Sequence, residues 1–418
     1  MIIDVDGHIS ALQVIGAEES FPLATKKSCY DLLISISSNL RAGRDAVCES
    51  DGFLPCINHA SNAIVDLANT CKNSETSKME NMKITDSNTA THCSLELAAM
   101  SFLSSLINND IARNALFGNK DLKSSIEVLA RDADHYEVQH AAIVYLGSSV
   151  RYIKSDNTNE CASPEIFQTM LSIINSSQLR TKRRQVEKAS GLTSFGDFSK
   201  SHHFNENLIL ATACRVVESL LPTASPDLVT LTFTAMSKIW SETLNFQIVS
   251  SKKAASKSRN SGMLMFNMSS ILLLATGRNE MQTLLKASNL LRDLFRFILF
   301  DPTATEKVDK NESDESSLKD LLHWRGALAQ SLQCIAVLSD NHYLQHDDCN
   351  SYEELISSVE SNPSSSTQIN NLRTFALSAK KAPSQTRTIK ASLERIEGSS
   401  TDAVSSIAAT RILQNIFG

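Results

Sequence analysis

The sequence predicts an all-α chain built as a stack of helical repeats, and three observations predict it. First, two segments repeat each other at a step of 43 residues. Leu95-Glu96-Leu97-Ala98-Ala99-Met100-Ser101-Phe102-Leu103 aligns with Val138-Gln139-His140-Ala141-Ala142-Ile143-Val144-Tyr145-Leu146. A period of roughly 40–47 residues belongs to two- and three-helix repeats. Second, turn formers are scarce, with 13 Gly and 8 Pro in 418 residues. A β-sandwich or an α/β enzyme of this length needs more turn glycines. Third, apolar residues recur at helical spacing along most of the chain. Hydrophobic residues make up 42%, enough for a continuous core and too many for a wholly disordered chain.

Taken in order, Leu32, Leu33, Ile36 and Leu40 form the first apolar stripe. A short helix follows within Gly43–Leu54, with Gly52 as its expected left-handed stop. Leu54, Ile57, Ile64, Leu67 and Cys71 mark the next helix, and residues 72–91 are polar throughout and predict an inserted loop. Helix Cys93–Asn108 carries Leu95, Ala98, Ala99, Phe102, Leu103 and Leu106. Ile111–Phe117 is a short helix ending near Gly118, and it aligns with Gly43–Cys48 by pairing Arg44 with Arg113 and Ala46 with Ala115. Leu122, Ile126 and Leu129 mark one more helix before Val138–Val150 opens the next unit. No polar N-terminal cap helix is evident, although repeat stacks need one for solubility, so a further domain outside the chain is expected.

This order of short helix, helix and long helix resembles the armadillo repeat, with the HEAT repeat as its close relative, over residues 23–150. The resemblance implies a right-handed α-solenoid of irregular armadillo/HEAT-like repeats. Beyond residue 150 the register fades while helices continue. Pro164 suits the first turn of a helix carrying Ile166, Met170, Leu171 and Ile174. Residues 177–202 read as a basic, polar linker. Leu208–Leu221, Leu228–Val249, Leu264–Thr276, Met281–Phe300, Leu318–Leu338 and Ala403–Phe417 read as helices. Residues 301–317, 361–367 and 378–390 read as loops, and Asn341–Asn350 as a turn. The whole chain, 1–418, is read as one repeat domain, clear over 23–150 and degenerate over 151–418.

The net charge is −6, from 40 basic and 46 acidic residues, and gives no general drive toward nucleic acid or anionic membrane. Nine cysteines, an odd number with no CxxC pair, fall in apolar patterns and point to a reducing compartment. The N-terminus has neither the basic flank nor the apolar run of a signal peptide. The expected location is therefore the cytoplasm, with the nucleus as the alternative. Met263–Thr276, the most apolar stretch, is too short to span a bilayer.

Armadillo arrays of the importin type hold extended peptides with a Trp and an Asn, one turn apart, on the third helix of each unit. The matching positions here are Met100 and Ser104, then Ile143 and Gly147. The Trp–Asn ladder is absent, which argues against a receptor for basic signals. These four residues are the candidate groove for another partner. Arg180, Lys182, Arg183 and Arg184 form the densest basic run, suited to a localisation signal or an acidic partner, or simply to a solvated loop. Cys334, His342, His346 and Cys349 have a zinc-like spacing. Cys334 lies in the apolar stripe of Leu332, Ile335 and Leu338, however, so a core cysteine with turn histidines is the better reading. Asp4-Val5-Asp6-Gly7 lacks the acidic position 12 of a calcium loop. No phosphate loop, dinucleotide fingerprint or nucleophile elbow occurs. No catalytic, cofactor-binding or metal-ligating residue is assigned. The expected function is a scaffold or adaptor that binds a partner protein on the concave face of the solenoid, and not an enzyme. A co-chaperone of the myosin-chaperone type, or a non-catalytic subunit of a complex such as a ubiquitin ligase, is the alternative.

Overall fold

The computed structural model describes residues 7–17, 21–77, 94–133, 136–153, 164–189, 198–250, 261–287, 290–300, 315–341, 343–351, 388–398 and 402–418. Among these residues there are helices and no strand. The chain divides into two compact units, Met1–Ile173 and Ile174–Gly418.

The first unit contains α1 (Gly7–Gly16), α2 (Leu23–Asn39), α3 (Arg41–Glu49), α4 (Phe53–Ser77), α5 (Ser94–Leu106), α6 (Asp110–Phe117), α7 (Lys120–Asp132) and α8 (Tyr136–Ile153). The boundary between units falls within α9 (Pro164–Ala189). Asparagines set two of the starts. The Asn109 side chain accepts from the amides of Ile111 and Ala112 at 2.9 and 3.2 Å, and Asn119 accepts from the Leu122 amide at 3.0 Å. Each satisfies donors that the first helical turn leaves open. Pro164 opens α9, where its missing N–H costs nothing.

The helices of this unit pack in two rows. In one row α2 lies on α5 and α5 on α8; in the other α1 lies on α4 and α4 on α7. The 43-residue register is also a register of burial. Ala99 and Ala142 are both fully buried, as are Met100 and Ile143, and Phe102 matches Tyr145, Leu103 matches Leu146 and Ile107 matches Val150 in the core. Ser101 and Val144, also one step apart, are both exposed.

The second unit holds α10 (Phe198–Leu220), α11 (Pro226–Ser250), α12 (Ser261–Thr276), α13 (Asn279–Ala287), α14 (Leu290–Phe300), α15 (Glu315–Asp340), α16 (Ile389–Glu397) and α17 (Ala403–Ile412). It too forms two rows: α10, α12, α15 and α17 in succession, and α11, α14 and α16. Hydrogen bonds along the rows join residues 52 to 61 apart. Asn267 donates to the Ala211 carbonyl, 56 residues back, and Ser270 to Glu218, 52 back. Ser237 donates to Asp293, 56 on, and Arg296 to Ser241, 55 back. Ser269 donates to Gln330, 61 on, and the Gly262 amide to Asp320, 58 on. In each of these three pairs of helices both numbers rise together, so those neighbours run parallel. A core of rings joins three helices: Trp240 meets Phe297 edge-on at 5.7 Å, and Phe297 meets Trp324 at 5.7 Å.

Several boundaries differ from the sequence expectation. The predicted loop 72–91 is helical to Ser77, the linker 177–202 is helical to Ala189 and again from Phe198, and 315–317 already belong to α15. Lys, Arg, Gln and Glu dominate the 177–189 stretch and are good helix formers, so polarity alone was a poor loop signal. Residues 78–91, 190–197, 301–314 and 361–367 lie outside the described residues, as does most of 378–390. Met281–Phe300 is two helices, α13 and α14, whose continuous apolar stripe reads as one. The expected turn at 341–350 is helical from 346, and the last helix ends in a π turn at Leu413–Phe417. α1 was not expected at all; it buries Ala11, Leu12 and Ile15 against α2 and α4. Gly52 is not a left-handed stop. A Cβ there would stand 2.9 Å from that of Leu12, so the glycine admits α1 rather than ending α3.

The tightest crossing in the second unit is α12 on α15. A Cβ at Gly262 would press on the Asp320 backbone carbonyl and stand 2.8 Å from Trp324 Cδ1. Gly262→Ala is expected to destabilise by about 1–3 kcal/mol through overpacking, although alanine gains up to ~1 kcal/mol of helix propensity. Urea unfolding reads this directly, and an unchanged or higher midpoint contradicts the close approach.

Candidate functional site

The four candidate groove residues divide by burial. Met100 and Ile143 are fully buried and serve the core. Ser104 and Gly147 are partly exposed, and the Ser104 hydroxyl donates to the Met100 carbonyl at 2.9 Å. The structure brings the four together, since α5 lies directly on α8. The outward positions of these two helices are Ser101 and Ser104 on α5, and Val144, Gly147 and Ser148 on α8. Ser104 and Gly147 are among these outward positions, whereas Met100 and Ile143 stop one residue short of Ser101 and Val144. A shift of one residue turns a helix by 100°, enough to exchange core for surface.

This strip is small-sided and uncharged. It offers hydroxyls, one exposed valine at 37% of its area and a glycine that leaves backbone accessible. Serine hydroxyls here return to their own helix, as Ser148 does to the Val144 carbonyl at 2.9 Å. Nothing in the strip resembles a nucleophile paired with a base.

Arg180, Lys182, Arg183 and Arg184 all fall within the helical backbone of α9, and not in a loop. Their side chains lie outside the described residues. His342 is also outside them. Cys334 and Cys349 are buried, whereas His346 is exposed, hydrogen-bonded through Nδ1 to Asn350 at 2.7 Å and edge-on to Phe417. Burial pushes the Cys334 thiol up to about 12, which leaves it protonated and inert. Among the described residues no group of three His, Cys, Asp or Glu could hold a metal ion, and no helix is long and apolar enough to cross a membrane.

Sequence reasoning missed the charged cluster at the heart of the second unit. Asp293 and Arg296, on α14, are 5% and 2% exposed. Arg296 donates to Asp293 Oδ1 at 3.3 Å and to the Ser241 hydroxyl at 2.9 Å, and Ser237 donates to Asp293 Oδ2 at 3.1 Å. Burial raises the Asp293 carboxyl, and Arg296 and the Ser237 hydroxyl pull it back only in part. The i,i+3 spacing of an acid and a base on an otherwise apolar helix was the available signal. The cluster ties α14 to α11 through Ser237 and Ser241.

The chain's likeness to known proteins is slight. No protein-family model matches it, and no curated protein matches it. Among solved structures it is similar to two engineered proteins from a structural-genomics programme. One has a TM-score of 0.35 and 13% identity over 78% of this chain and 97% of its own. The other has a TM-score of 0.24 and 15% identity over 99% of this chain and 100% of its own. Scores this low carry no argument, and the all-helical fold rests on the chain's own structure.

Removing one member of the buried pair should cost more than removing both. Arg296→Met leaves a buried carboxylate alone and is expected to lower stability by about 3–5 kcal/mol. Asp293→Leu combined with Arg296→Met should recover much of that loss. A double-mutant cycle in urea checks it, and additive single effects contradict the coupling.

Proposed function

We propose that the chain is a right-handed α-solenoid of the armadillo/HEAT type that acts as a scaffold or adaptor for a partner protein. The observation that carries this reading is the row geometry. In the second unit α10 and α12, α11 and α14, and α12 and α15 run parallel, joined 52 and 56, 55 and 56, and 58 and 61 residues apart. A chain that returns to the same place in the same direction after every few helices is a repeat array. In such arrays the stacked third helices present a continuous face to a ligand. Here that face carries Ser101, Ser104, Val144, Gly147 and Ser148. Small residues admit an extended backbone closely, and their hydroxyls offer donors and acceptors along it. The basic run Arg180, Lys182, Arg183 and Arg184 is proposed separately, as a contact for an acidic partner or a localisation signal.

Two measurements test this. A compact chain of this length has a radius of gyration of about 22 Å; small-angle scattering should give a clearly larger value, and a result near the compact one sinks the solenoid. Partner capture by affinity pull-down and mass spectrometry should depend on the strip. Ser101→Glu with Val144→Glu should leave stability within about 0.5 kcal/mol and cut recovery of the partner about tenfold or more. Undiminished recovery places the binding surface elsewhere.

A further inference from the structure

We propose that Lys26, His59 and Tyr30 form a proton-sensitive latch that holds α1, α2 and α4 together and releases them when His59 takes up a proton. Lys26 lies on α2 and is only 7% exposed, an uncommon place for an ammonium. Its Nζ donates to the Ala17 carbonyl, just past the end of α1, at 3.2 Å. That carbonyl is at the negative end of the helix, where a cation is favoured. The same Nζ stands 3.2 Å from Nε2 of His59 on α4. Nδ1 of His59 is 3.0 Å from the hydroxyl of Tyr30, which is fully buried on α2.

The hydrogen bonds dictate the state of the ring. An ammonium only donates, so Nε2 must accept and carry no proton. In a neutral imidazole the proton is then on Nδ1, which donates to the Tyr30 oxygen. Protonation at Nε2 removes the acceptor for Lys26 and sets two cations 3.2 Å apart. Among the described residues no acidic side chain is hydrogen-bonded to Lys26 or His59. α1 presents a backbone carbonyl, α2 presents Lys26, Tyr30 and the Cys29 thiol, α4 adds the Cys56 thiol, and α5 contributes the Phe102 ring against Tyr30 at 5.5 Å. Among the described residues Lys26 is the charged group that bears on the ring. His59 is half-buried, so a proton reaches it without unfolding.

Burial, and then Lys26, hold the folded ring below its ordinary value of 6.5. The opened state therefore binds the proton more readily. Stability from the latch is complete above the ordinary value and is lost as pH falls below it. The expected result is a first unit that loosens at its α1–α2–α4 end in mildly acidic surroundings.

Hydrogen exchange of the full chain, corrected for intrinsic rates, tests this at pH 7.5 and 5.5. Amides of α1 and the first turns of α2 should open about three- to tenfold more at the lower pH. His59→Gln supplies an acceptor to Lys26 and a donor to Tyr30 at every pH, and should abolish the difference. Lys26→Met keeps the stem and removes the second cation, and should at least halve it. Nitrogen-15 NMR of labelled histidine should show the Nδ1–H tautomer of His59 at neutral pH. An undiminished pH response in His59→Gln, a full response in Lys26→Met, or the Nε2–H tautomer each overturns the latch.

Discussion

No helix of this protein can bury its own apolar face, and every other feature follows from the lateral contact that does it instead. A row helix must be covered on two flanks, by the helix before it and the helix after. The residues on those flanks are therefore selected for how closely a neighbour can come. Gly262 and Gly326 serve this on the α12–α15 crossing, where bulk stands against each of them, Trp324 at Gly262 and the Phe266 ring at Gly326. Trp324 also meets Phe297, which meets Trp240, so the rings fill the space beside the crossing. Small residues set the distance between neighbours, and large ones fill what that distance leaves.

Close apolar contact sets spacing but not register, because a smooth helix face can slide along another. Polar contacts across the row supply the register. Ser37 meets Ser105 at 2.6 Å, Asn109 donates to Asp45 at 2.8 Å, and Ser269 donates to Gln330 at 2.8 Å. Each is worth only about 1 kcal/mol when made. The cost of leaving a buried partner unsatisfied is larger, about 1–3 kcal/mol, so a one-turn slip is penalised at each of them. Asp293 and Arg296 extend the same device with charge, at a desolvation cost that the raised Asp293 carboxyl records.

This division explains what the sequence made legible. The helices themselves, their apolar stripes and the Pro164 start were readable because burial imposes a period on many residues at once. The 43-residue step was readable because Ala99/Ala142, Phe102/Tyr145 and Leu103/Leu146 recur by type in equivalent core places. In the second unit the step wanders from 52 to 61 residues, and equivalent contacts use different chemistry: Ser270 with Glu218, Ser269 with Gln330, Asn267 with a backbone carbonyl. α12 is apolar nearly all round, which erases the stripe that would orient it. A register carried by unlike polar pairs at an uneven step has no sequence period to detect. α1 escaped for a related reason: three buried residues, Ala11, Leu12 and Ile15, make too short a stripe.

The candidate surface was harder still to read, since a surface is what remains when the core has chosen its residues. Met100 and Ile143 were assigned outward by analogy with a ligand-binding ladder, yet both are fully buried. The ladder analogy depends on the rotation of the third helix, and that rotation is set by which residues its row neighbours demand. On α8 Ala142 and Ile143 are buried and Val144 faces out. The same logic separates two histidines of the first unit, His59 and His140. His59, on α4, is held by two named partners on α2, Lys26 and Tyr30, so its protonation has a structural consequence. His140 is also kept below its ordinary range, by burial alone, with no charged neighbour to set against it. A histidine becomes a switch only where its proton would displace a bond that joins elements, and in this unit that condition is met where Lys26 closes the end of α1.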